Sequence, residues 1–148
     1  MFEIESKNPD EIIITTKKGT IKFDIAAATI DAGLAVGKIT GPGEFEIGDA
    51  TIRGILTENK KTIYSVEIGG IHLGILGSIE ENLDDIVADV LCASSIRAIR
   101  EIEPKLIVAM GNVDAMVSEL KLSARTEKKL KIKNLESLPT VKEVVVLS

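Results

Sequence analysis

A chain of 148 residues, 45% hydrophobic and 28% charged, has the size of one domain built on one sizeable core. Its 23 acidic and 18 basic residues leave a formal charge of -5, without the basic excess that nucleic-acid binding draws on, so no nucleic-acid partner is expected. The single histidine and single cysteine exclude the usual zinc sites, which need about three or four such ligands, and exclude a disulfide within the chain. Any Ser-His-Asp or Cys-His catalytic group would have to draw on His72.

The 22 isoleucines, 3% aromatic content and missing tryptophan predict a core of branched aliphatic side chains, which favours strands. Glu3, Glu5 and Asp10 stand where a signal peptide would carry basic and then apolar residues, so a cytoplasmic protein is expected. The longest apolar stretch, Ile68 to Ile79, is broken by Gly69, Gly70, Gly74 and Gly77, and no membrane span is expected.

In chain order, the run Ile12 to Thr16 and the alternating segment Thr20 to Ile25 predict a hairpin turning at Lys17-Lys18-Gly19. The Ala- and Gly-rich segment 25–37 is compatible with a strand or a short helix. Gly41-Pro42-Gly43 is a strong turn signal, followed by predicted strands Glu44 to Ile47 and Ala50 to Leu56, then Thr62 to Ile68 and Ile71 to Ile75. An antiparallel meander is expected. Beyond Ser78 the period lengthens, and Ser78, Glu80 and Glu81 predict a short capped helix reaching Ile86. Ala88 to Cys92 reads as a buried strand. Ser94 or Ser95 caps a helix with Ile96, Ile99 and Ile102 on one face, stopped by Pro104, and Leu106 to Met110 is a second buried strand, expected to run parallel to the first. A helix over Asp114 to Leu120 and a last strand over Val141 to Leu147 complete the reading.

Between them, Lys121, Arg125, Lys128, Lys129, Lys131 and Lys133 face the single acid Glu127. With no aromatic side chains interleaved to stack on bases, this stretch is read as a solvated loop or hairpin face. His72 is read as half-buried between strand partners, Cys92 as a small buried hydrophobe, and Asp84, Asp85 and Asp89 as a solvated acidic face whose spacing fits no calcium loop.

The pieces Ile39 to Ile47 (ITGPGEFEI), Thr51 to Ile55 (TIRGI), Ile63 to Glu67 (IYSVE), Ile71 to Gly77 (IHLGILG) and Ile102 to Met110 (IEPKLIVAM), in this order, resemble the metallo-β-lactamase-fold hydrolases, and most closely the bacterial Zn-dependent hydrolase group. The resemblance covers about two thirds of the chain. It implies an α/β (α+β) fold, a reduced metallo-β-lactamase-like αββα sandwich, strand-rich at first and then strand-helix-strand, and it places the turn Gly41, Pro42, Gly43 and Glu44 in a family-like motif.

The same resemblance shows what is missing. The family's His-x-His-x-Asp-His motif has no counterpart in Met1 to Lys38, the family's bridging aspartate falls on Ile75 after His72-Leu73-Gly74, and the family's late histidine falls on Gly111 after Met110. The expectation is a single domain over residues 1–148, shortened on its N-terminal side, with no metal or other cofactor and no catalytic residues. Its expected function is that of a pseudoenzyme with a binding or assembly role. A vestigial cleft is expected at Gly74, Ile75, Gly111 and Asn112. Two other readings are a metal-independent or oxygen-ligated hydrolase using Glu44, Glu46 and Asp49, and an interaction subunit that covers its exposed apolar surface with a protein partner or a second copy of itself.

Overall fold

The computed structural model describes residues 1–33 and 36–148. Strands β1 (Phe2–Glu5), β2 (Glu11–Thr16), β3 (Gly19–Asp24), β4 (Thr29–Asp31) and β5 (Lys38–Thr40) come first. Then follow β6 (Gly43–Ile47), β7 (Ala50–Leu56), β8 (Thr62–Ile68) and β9 (Ile71–Gly77). The second half runs β10 (Val90–Ala93), α1 (Ile96–Ile102), β11 (Leu106–Ala109), α2 (Val113–Leu120), β12 (Ala124–Glu127), β13 (Leu130–Ile132) and β14 (Glu143–Leu147). The strands form two sheets, one ordered β13-β1-β2-β3-β4-β5 and the other β12-β14-β11-β10-β9-β8-β7-β6.

Alternation decides how the six-stranded sheet is used. Phe2, Ile4, Ile12, Ile14, Ile21, Phe23 and Ile30 are buried on its inner face. Its outer face carries Glu3, Thr15, Thr20, Lys22, Asp31 and Lys38, with Lys22 bonded to Glu11 at 3.0 Å. That face offers a helix little apolar surface, and neither α1 nor α2 makes extensive contact with this sheet. The α/β class holds, while the sandwich is reduced to two sheets and one helical layer.

The eight-stranded sheet changes character at β9. From β6 to β9 the pairing is antiparallel, and from β9 through β10, β11, β14 and β12 it is parallel. Parallel neighbours need crossover connections, and α1 supplies the one between β10 and β11. Ser95 caps α1 by accepting a hydrogen bond from the Ala98 N–H at 3.0 Å, and Glu103 ends it in a left-handed conformation just before Pro104. Both outward and inward residues of β10 are therefore buried, whereas β7 alternates buried and exposed.

Several sequence expectations change. The meander is divided between two sheets, because Gly41-Pro42 carries the chain from β5 in one sheet to β6 in the other. Gly41 has φ +84°, and a side chain at Gly54 would press on its carbonyl oxygen and on Pro42 Cα, both at 3.3 Å. The predicted helix from Ser78 to Ile86 is only a single 3-10 turn, Leu83–Asp85, entered through left-handed Asn82. Ile79, Leu83 and Ile86 keep helical spacing but reach the core from an irregular path. Residues 121–133 do not form a hairpin: β12 edges one sheet and β13 pairs with β1 in the other. Within segment 25–37, Thr29–Asp31 is a strand, while residues 34 and 35 lie outside the described residues. No helix among the described residues is long and apolar enough to cross a membrane.

Candidate functional site

The antiparallel half of the large sheet has an outer face with no helix over it, and two rows of side chains cross that face. One runs Glu44, Arg53, Ser65, Gly74, and the other Glu46, Thr51, Glu67, His72, each residue opposite the next on the neighbouring strand. The segment after β9 returns along the side of this face. Ile86 seats against Gly74, where a Cβ would lie 2.9 Å from Ile86 Cγ2 and 2.9 Å from Leu91 Cδ1, so only glycine leaves room for the wall to close. Arg53 ties the wall to the floor, its Nη2 donating to the Asp85 carbonyl at 2.7 Å. The result is an open groove of about 580 Å³ lined by Glu44, Glu46, Arg53, Glu67, His72 and Asp85 among others, with Val87 on its rim.

The groove is acidic. Glu44, Glu46 and Glu67 line it with one guanidinium and one imidazole, Asp85 on the wall accepts at its carboxylate from the Asn82 amide at 3.1 Å, and none of these four acids is in an ion pair among the described residues. His72 is half-buried opposite Glu67, as the sequence predicts. Its backbone N–H donates to the Asp89 carboxylate at 2.9 Å, and the Asp89 N–H donates back to the His72 carbonyl at 2.8 Å. Asp89 thus fixes the start of β9 and stands apart from the exposed pair Asp84 and Asp85.

The residues of the predicted cleft lie on different surfaces of the large sheet. Gly74 faces outward under Ile86 and Leu91, and Ile75 faces inward, fully buried, in register with Tyr64 and Cys92. Gly111 and Asn112 are exposed beyond β11, where Asn112 precedes α2 and its amide donates to the Ser94 carbonyl at 3.0 Å. Of the turn residues, Glu44 reaches the groove, while Gly41, Pro42 and Gly43 shape the crossing between sheets.

These residues do not fit a zinc ion. Ile75 offers no lone pair and Gly111 no side chain. Burial pushes the Cys92 thiol up to about 12, away from the thiolate a metal would bind. The neighbouring Tyr64 hydroxyl is buried without a hydrogen-bond partner, and burial, aided by the charge of Asp24, pushes it to about 12 as well. Among the described residues no three His, Cys, Asp or Glu side chains come together to hold a metal.

Asp85 is read in the sequence only as part of a solvated acidic face, and Arg53, Ser65, Glu67 and Val87 carry no site signal there. The alternation in β7 and β8 sends Thr51, Arg53, Ser65 and Glu67 to one face, and that face becomes a site only once the 85–87 segment walls it.

No family model and no curated protein matches the chain. Among solved structures, it superposes on the crystal structure of a Thermotoga maritima protein proposed to be a Zn-dependent hydrolase of the metallo-β-lactamase superfamily. The TM-score is 0.72 at 16% identity, with 99% of this chain and 98% of the other covered. The chain has the metallo-β-lactamase fold. The resemblance read from Ile39 onward is thereby extended to β1 through β4, so the likeness in metallo-β-lactamase architecture runs over nearly the full length of both chains.

Proposed function

We propose that this chain is a non-catalytic metallo-β-lactamase-fold protein that acts by binding, through the open groove on the antiparallel half of its large sheet. One observation carries the reading: the position where the resemblance puts a bridging aspartate holds Ile75, packed in the inter-sheet core with no exposed surface. A metal-dependent hydrolase needs its ion to bring a bound water's pKa down to about 7, and an aliphatic core cannot hold that ion. The binding role is supported by the groove, whose polar floor is what the helices leave uncovered. The protein works in the cytoplasm, which suits a chain whose one cysteine is a buried, neutral thiol.

Metal analysis of protein purified without chelators tests the proposal, with zinc, manganese and iron all expected far below one equivalent. Near-stoichiometric metal held by this chain would overturn it. So would turnover of a phosphoester, lactone or thioester that Glu44→Ala abolishes, since Glu44 lies in the groove and would then be acting as a catalytic carboxylate.

A further inference from the structure

The acidic groove has a counterpart elsewhere in the molecule. The stretch from Lys121 to Lys133 holds six cations and one acid, and it crosses from β12 in the large sheet to β13 in the small one. Arg125 is engaged with Glu127 and Glu143, at 2.7 and 3.0 Å, and Lys129 lies 3.9 Å from Glu3. Lys121, Lys128, Lys131 and Lys133 are exposed and in no ion pair among the described residues.

The two patches cannot meet within one molecule. β12 and β6 are the opposite edges of the eight-stranded sheet. Spacings of about 4.8 Å per strand put Glu67 on β8 roughly 24 Å from β12, and Glu44 and Glu46 on β6 roughly 34 Å from it, at least three times the ~8 Å over which exposed charges act at physiological salt. Each copy thus presents an unpaired acidic surface at one edge and an unpaired basic surface at the other. A two-fold dimer through either patch would set like charges against each other, whereas head-to-tail contact sets acid against base. The acids at β6 also disfavour pairing of that edge with itself.

Resting on the groove being a binding site, we infer that its occupant is a second copy of this chain: the basic crossing of one molecule, centred on Lys128 to Lys133, seats against Glu44, Glu46, Glu67 and Asp85 of the next. The contact is heterologous, so it repeats from copy to copy. Each patch also offers one exposed apolar side chain, Val87 on the groove rim and Leu135 just beyond β13. Exposed ion pairs are individually weak, so association belongs to low salt and high protein concentration.

Sedimentation velocity at about 100 µM protein, in buffers below and above the salt range that screens exposed charge, tests this. Wild type is expected to form species that grow with concentration at low salt and return to monomer at high salt. The pair Glu44→Lys with Glu67→Lys keeps only the basic face, and the pair Lys128→Glu with Lys133→Glu keeps only the acidic one. Each double variant alone should be monomeric, and a 1:1 mixture should give a dimer that does not grow further. All four positions are exposed, and circular dichroism verifies that the variants fold. A wild type that stays monomeric at low salt overturns the inference, as does association that both double variants retain. An oligolysine peptide separates this failure from that of the groove itself. If wild type is monomeric yet binds the peptide and Glu44→Lys with Glu67→Lys does not, the groove is a site for another cationic partner. If wild type binds neither, the groove reading fails too.

Discussion

The outer face of the large sheet is built by one rule on two halves with opposite results. In the parallel half, strands run side by side in the same direction, the chain must cross back over the face, and the face becomes apolar and covered, with Leu76, Leu91 and Ile107 fully buried. In the antiparallel half, β6 to β9 turn back directly through short loops, nothing needs to cross, and the same face carries Glu44, Arg53, Ser65 and Glu67 in the open. Connection chemistry, more than any dedicated binding motif, sets where this protein has a free surface.

The comparison breaks most visibly at equivalent outward positions on the two halves. Leu91→Ala, under the helices, is expected to lower stability by about 2–5 kcal/mol, whereas Thr51→Ala on the open half should stay within about 0.5 kcal/mol. Urea unfolding of both variants measures the contrast, and similar losses would mean that the open half is covered in solution. At the boundary, Gly74→Ala forces Ile86 and Leu91 to shift their side-chain ends, at a cost of about 1–3 kcal/mol. Because Ile86 stands between the wall residues Asp85 and Val87, this variant should also change binding in the groove, as measured with an oligolysine peptide.

The inner face shared by both halves gives the smallest effect at neutral pH. Tyr64→Phe removes a buried hydroxyl that has no partner, so its stability should equal or slightly exceed that of wild type. At alkaline pH two raised values act together. The folded protein holds the Cys92 and Tyr64 protons to about 12, against ordinary values of 9.0 and 10.0. Their stabilisation is present in full below about pH 9 and falls as pH rises toward 12, because only the unfolded chain releases those protons there. Urea midpoints at pH 8 and pH 11 should therefore drop for wild type and drop less for Tyr64→Phe.

Much of this fold is legible in residue order. A β-branched run marks β2, period-two alternation marks β3 and β6 to β9, and Ser95, Ile96, Ile99 and Pro104 mark α1 with its cap and its stop. What alternation does not encode is which strands share a sheet. Gly41-Pro42 reads as a hairpin turn because Gly and Pro signal a change of direction, and nothing local distinguishes reversing within a sheet from leaving it. β12 carries no apolar period to detect, and in β13 Leu130 and Ile132 give a single alternation lost among lysines. Ser78 misled for a related reason: a serine followed by acids looks like a helix start, but left-handed Asn82 breaks the turn and the buried isoleucines anchor the segment instead. The site is partly legible through Glu44, Glu46, His72 and Asp85, whose chemistry stands out in the sequence. Its remaining members are ordinary strand residues made into a groove by a wall that only the tertiary structure supplies.

The pairing of β1 with β13 has a bearing on synthesis. β1 spans Phe2–Glu5 and takes β2 on one side almost at once, but its other neighbour, Leu130–Ile132, emerges about 125 residues later. At ribosomal rates of roughly 5–20 residues per second, that edge waits on the order of 6–25 s before it is paired. During that interval Glu3 and Glu5 give the unpaired strand a negative face, which repels the same strand on a neighbouring nascent chain. The acids of β1 thus serve as protection for an edge that the topology leaves open until β13 has been made.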